Sequence, residues 1–142
     1  MTKKNKHKIT LFYCINTNLN ENTISADMEK DCELKCIKLA CSSMVKDVFL
    51  LRAFEAGADA TVVLVCPEGA CRHTEGNIRA KKRVKWVKNL LDEIGLNGKR
   101  LTIHNIASKD NAAAAKTVLD TLSDLAELGP NPAVPHPNKK VA

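Results

Sequence analysis

A lysine-rich start gives way at residues 9–14 to ITLFYC, a run of apolar and β-forming residues, and the polar stretch NTNLNEN follows. This pattern predicts a first strand and its loop, with a short helix over residues 24–30. Residues 34–40 are β-like again, so the second strand is expected to end at Cys41. Behind it, Ser42 and Ser43 supply hydroxyls suited to capping a helix. That helix carries Val45, Val48, Phe49 and Arg52 on one stripe and stops at Gly57, a residue suited to the position past a helix end. Residues 60–65 then read ATVVLV with no charge after Asp59, the continuous apolar run of a strand covered on both faces and hence the central one.

The loop CPEGACRHTEGN separates this strand from a long helix. Ala80, Val84, Val87, Leu91 and Ile94 recur along it at three- and four-residue spacings, and Gly95 closes it. Residues 101–106 form a fourth strand and residues 110–128 a fourth helix, with Val118, Leu122 and Leu125 facing inward. Strands alternating with helices of these lengths imply a parallel sheet with right-handed crossovers and helices on both faces. The predicted fold is therefore of the α/β class: a single three-layer α/β/α domain, flavodoxin- or Rossmann-like, with a four-stranded parallel sheet. Four of the five prolines fall in GPNPAVPHPNKKVA at the end. Residues 130–142 are thus expected to be an extended tail, beyond a domain at 8–129 and a basic segment at 1–7.

A chain of 142 residues suits one domain and buries roughly two-thirds of its unfolded surface, so the core needs no disulfides. The start MTKKNKHK passes straight into the first strand, too short for a signal peptide, and no run approaches the ~20 apolar residues of a membrane span. The expectation is a cytoplasmic protein with no direct membrane insertion. Net charge is +6, concentrated in residues 3–8, 72–88 and the tail, yet the aromatics number only five. Little is available for base stacking, so no nucleic-acid partner is expected, and the basic stretches suit an acidic protein partner instead.

The six cysteines then carry the chemistry. In a chain of this length and apolar content they suggest metal or redox work rather than a disulfide framework. Cys14, Cys41 and Cys66 each close a predicted strand, and Cys71 lies in the loop after the third; ligands of open parallel sheets collect at that carboxyl edge. Cys36 falls inside the second strand, and Cys32 precedes it, about 30 Å from Cys41 at ~3.3 Å per residue, so both read as buried small hydrophobes. Four thiolates match a [2Fe–2S] cluster, a [4Fe–4S] cluster or structural zinc, and spacing alone does not separate them. Zinc fits less well, because only Cys66 and Cys71 are local to one another. Gly69 would let backbone N–H groups approach inorganic sulfide, Arg72 and His73 would add positive charge, and Gly76 and Asn77 lead into the amino end of the long helix. No catalytic triad, carboxylate pair or phosphate-binding glycine motif stands out, and no independent catalytic centre is expected.

The stretch CPEGACRHTEGNIRAKKRV, running on into KWVKNLLDEIGL, closely resembles the hallmark segment of the hydrogenase iron–sulfur delta-subunit family. That family comprises the delta subunits of methyl-viologen-reducing hydrogenases and related domains of heterodisulfide reductase and quinone-interacting oxidoreductase complexes. Cys41-Ser42 and the ending LLRAFEAGADA fit it too, and the resemblance spans roughly residues 8–129. It implies a [2Fe–2S] cluster held by Cys14, Cys41, Cys66 and Cys71. It also implies a protein relaying electrons from a hydrogenase, formate dehydrogenase or other donor to the flavin of a heterodisulfide reductase A-like flavoprotein. The family's first loop typically follows a C-C-N-x-C pattern, where this chain has Tyr13, Cys14 and Thr17, and Ser43-Met44 replaces a usual Gly-Arg. With four matching cysteines left, a four-thiolate cluster needs every one; the alternative is a cluster-free structural adaptor in the same kind of complex. Arg72, Lys81, Lys82, Arg83 and Lys85 would guide docking to an acidic flavoprotein. Trp86 lies off the inward stripe and reads as an interface residue or as one packed under the tail.

Overall fold

The structure, a computed structural model, describes residues 7–14, 17, 19–28, 32–39, 46–65, 76–107, 109–129 and 131–132. Strands and helices alternate as β1 (His7–Cys14), α1 (Glu21–Met28), β2 (Cys32–Leu39), α2 (Asp47–Glu55), β3 (Ala60–Val65), α3 (Gly76–Glu93), β4 (Leu101–Asn105) and α4 (Asn111–Leu128). A 3-10 turn at Gly98–Arg100 leads into β4. All pairings are parallel, and the strands lie in the order β2-β1-β3-β4. The α/β/α sandwich read from the alternation is the fold observed.

The period-two alternation of the strands divides the core into two layers. Ile9, Leu11 and Tyr13 of β1 and Val62 and Leu64 of β3 pack under α1 and α4. Phe12, Val63 and Val65 pack on the other face, under α2 and α3. Every residue of β3 is buried, as the unbroken apolar run required. Edge strand β2 is half wet by comparison, with Glu33, Lys35 and Lys38 exposed.

Three local expectations are corrected. The first helix begins at Glu21 rather than at residue 24, because the Asn20 side chain accepts from the Thr23 amide and starts the turn early, and residues 29 and 30 lie outside the described residues. In α2 the buried residues are Leu50 and Phe54, whereas Val48 and Phe49 are exposed. The anticipated stripe is thus the outer side of the helix, and Val45 lies outside the described residues. Finally, Ile94 is 64 % exposed, and Leu96 takes the core position after Leu91. The cause is a Schellman turn: Gly95, at φ +84°, donates to Asp92 O, while Leu96 donates to Leu91 O at 2.9 Å, which reverses the chain and folds Leu96 inward.

Buried polar residues tie the amino edge of the sheet to the chain's later part. Arg100 donates through Nε to Leu96 O, through Nη1 to Asp59 O and Gly129 O, and through Nη2 to Leu128 O. Asp59 accepts from the Lys8 and Asn131 amides, and Asn131 Nδ2 donates to Phe54 O and Ala58 O. Asn131 is fully buried, so the packed domain runs on to that residue. Among the described residues no helix is long and apolar enough to cross a membrane.

Candidate metal centre

In this strand order β1 leads outward to β2 on one side, while β3 leads to β4 on the other. The reversal point, where open α/β sheets place their ligands, is the carboxyl edge between β1 and β3. Cys14 is the last residue of β1 and stands at that point. It pairs with Leu39 at the end of β2, and on the other side it lies one step beyond the Tyr13–Leu64 pair, beside Val65. Adjacent strands run about 4.8 Å apart, so the ends of β2 and β3 flank Cys14 closely. Cys41 is two residues beyond Leu39 in the chain and Cys66 is the residue after Val65.

The Cys14 thiol is free and 1 % exposed. Alternation puts its side chain on the face of Phe12, that of α2 and α3, and opposite to Tyr13. The loop behind it is pinned: Thr17 Oγ1 donates to Cys14 O at 2.6 Å, and the Lys109 amide donates to Thr17 O at 2.8 Å. Further on, the Asn20 amide donates to Asn111 Oδ1, tying the loop to the first residue of α4. Thr17 therefore holds backbone, and its signal in the sequence is only a hydroxyl three residues after a strand end.

Tyr13, in the other layer, donates its hydroxyl to Glu21, and burial followed by the Glu21 carboxylate pushes its pKa well up. Cys36 packs in the same layer, 4.0 Å from Ser25 Oγ, its thiol raised chiefly by burial. Cys32 is buried opposite His7 at the amino edge, seven register steps from Leu39, about 23 Å at ~3.3 Å per residue. Both cysteines stand apart from the Cys14 edge, as small core residues.

Of the other expected site residues, Cys41, Cys66, Gly69, Cys71, Arg72 and His73 lie outside the described residues. Gly76 and Asn77 open α3. Among the described residues no three of histidine, cysteine, aspartate and glutamate gather as a metal site. What is present fits a thiolate-held group at one corner: a buried free thiol on a pinned strand end, at the reversal point.

Beside α2 runs a groove of about 560 Å³, floored by Phe12, Ile37 and Leu39 and walled by Phe49, Arg52 and Ala53. It exists because α2 buries Leu50 and Phe54 and leaves this face of edge strand β2 uncovered.

Comparison with known proteins bears on this corner. The family model described as methyl-viologen-reducing hydrogenase, delta subunit, matches residues 9–129. The chain is 31 % identical over 105 residues to the vhu iron-sulfur D subunit of the F420-non-reducing hydrogenase of Methanocaldococcus jannaschii, covering 74 % of this chain and 78 % of that one. It is 30 % identical over 97 residues to the iron-sulfur D subunit of the F420-non-reducing hydrogenase of Archaeoglobus profundus, covering 68 % and 71 %. A third similarity, 33 % over 97 residues, is to the A subunit of the ferredoxin:CoB-CoM heterodisulfide reductase of Methanosarcina mazei; it covers 68 % of this chain but 12 % of that protein.

Proposed function

The chain belongs to the methyl-viologen-reducing hydrogenase delta-subunit family, and from that membership we propose that it is the electron-relay subunit of an oxidoreductase complex. Electrons would enter from a hydrogenase, formate dehydrogenase or other donor protein and leave to the flavin of a heterodisulfide reductase A-like flavoprotein. Cys14, Cys41, Cys66 and Cys71 would hold a [2Fe–2S] cluster, with Gly69, Arg72, His73, Gly76 and Asn77 around it. When bound, such a group supplies a centre that takes up and releases one electron.

The observation that carries this reading is the placement of Cys14, a buried free thiol at the reversal point of the sheet in a chain whose relatives are named iron-sulfur subunits. The chain's own residues have defined tasks there. Thr17 and Lys109 fix the backbone that presents Cys14, and Leu39, Val65 and Phe12 surround the strand end with apolar groups that exclude water. Exclusion of water and backbone N–H donors are the levers by which a protein sets such a group's potential.

The test is iron and acid-labile sulfide analysis of the anaerobically purified full chain, with EPR after reduction, on wild type and Cys14→Ser. The expected outcome is iron and a reduced-state signal in the wild type, both lost in the variant while its circular dichroism is unchanged. A wild type without iron, or a Cys14→Ser complex that transfers electrons as before, would instead assign the chain the adaptor role.

A further inference from the structure

We propose that the outward side of α3, centred on Lys82, Lys85 and Trp86, is a docking face for an acidic protein surface. The inner side of this helix is conventional: Ala80, Val84, Val87 and Leu91 are all buried on the sheet. Its charge is not. Lys82, Lys85 and Lys88 recur at three-residue spacing with no carboxylate in the helix before Asp92, and no acid stands in the first turn. The amino end of a helix carries positive partial charge and favours acids, and like charges three or four residues apart repel, so the helix is charged against its own interest. Lys82 and Lys85 point to solvent, and beside them stands Trp86, 52 % exposed. An exposed tryptophan flanked by cations has the make-up of an interface anchor with a steering rim.

The same observations select the class of partner. A membrane-surface helix needs its apolar side free, and here that side is spent on the core. Single-stranded nucleic acid needs successive stacking aromatics, and Trp86 is the one aromatic of α3. A second copy would bring the outer face of α4, with Asp120, Asp124 and Glu127, against α3. Those two helices lie on opposite faces of the sheet, so that contact would repeat head to tail rather than close. A different protein with an acidic surface remains. In the chain, α3 begins five residues after Cys71.

The identity of the partner rests on the relay reading, whereas the charge and exposure of the face do not. The experiment measures binding of the full chain to the purified heterodisulfide reductase A-like flavoprotein across a salt series, for wild type, Lys82→Glu/Lys85→Glu, Trp86→Ala and the control Asp120→Lys/Asp124→Lys. Iron content is assayed in each. We expect the lysine reversal to weaken binding by at least about tenfold and to flatten its salt dependence. Trp86→Ala should weaken binding about tenfold with the salt slope kept, and the α4 control should bind as wild type. Absence of binding by the wild type overturns the proposal, as does unaltered binding by both α3 variants. So does self-association, RNA binding or phosphatidylserine-vesicle binding that the lysine reversal abolishes. Absence of iron with binding intact overturns the relay reading alone.

Discussion

α3 and α4 are both eighteen residues long and bury apolar stripes on opposite faces of one sheet, yet they meet their electrostatic needs differently. In α4 both ends are answered from within the fold: the Asp110 side chain accepts from the Ala113 amide, and Arg100 donates to the carbonyls of Leu128 and Gly129. α4 has no basic residue in its own last turn, so the cation its carboxyl end favours comes from a residue preceding β4. In α3 the carboxyl end is closed by the Gly95 turn, with Arg100 again donating to Leu96 O, but the cations of its first half meet no acid within the helix. One helix is answered at both ends within this chain, and the other exposes Lys82 and Lys85 beside Trp86.

The comparison breaks first at Arg100, which ties the turn after α3 to the carboxyl end of α4. Arg100→Met would leave four carbonyls, two of them buried, without their donor beside the buried Asp59, and should destabilise the chain by about 3 kcal/mol in urea unfolding. Next, Asp110→Ala removes the cap of α4 alone and should cost about 1 kcal/mol, read as a lower urea midpoint. The reverse sign is expected in α3: Lys82→Glu turns repulsion from Arg79 and Lys85 into attraction and should stabilise the isolated chain by about 0.5 kcal/mol at low salt, even as it weakens docking. A gain in thermal midpoint with a loss of binding would be the signature of charge kept for a partner.

The smallest effect concerns His104, which feels both helices. Burial holds its pKa below the usual 6.5, with Asp120 of α4 raising it and Lys88 of α3 lowering it. The unfolded chain therefore takes up the proton more readily than the folded one. Stability is full above about pH 6.5 and declines as pH falls through the folded-state value. Urea midpoints between neutral pH and pH 5 should show that decline, and His104→Gln should flatten it.

Much of the architecture is legible in the sequence because each long element repeats one signal. β3 is apolar throughout, and Ala80, Val84, Val87 and Leu91 mark the buried side of α3 at unambiguous spacing. α2 misleads because DVFLLRAFE is apolar on nearly every side, so periodicity offers two stripes and only its seat on the sheet chooses Leu50 and Phe54. At the candidate centre, the place of Cys14 at a strand end is legible, and the resemblance names its companions. Tyr13 stands out in the sequence only as a departure from the family pattern. That its side chain enters the opposite layer and meets Glu21 depends on the pleat of β1 and on α1 lying over it.

The amino-acid sequence by itself determined the order of strands and helices, the central place of β3, the separation of Cys32 and Cys36 from Cys14, and the family. These rest on periodicity, composition and distance along an extended strand, all of which are local. The tertiary structure alone decided that β1 and β3 meet at the reversal point, that Arg100 ties the turn after α3 to the carboxyl end of α4, and that Lys82, Lys85 and Trp86 of α3 face solvent together. Each of those joins residues far apart in the chain or sets which side of an element meets solvent, through register, burial and charge, and no single stretch of sequence settles it.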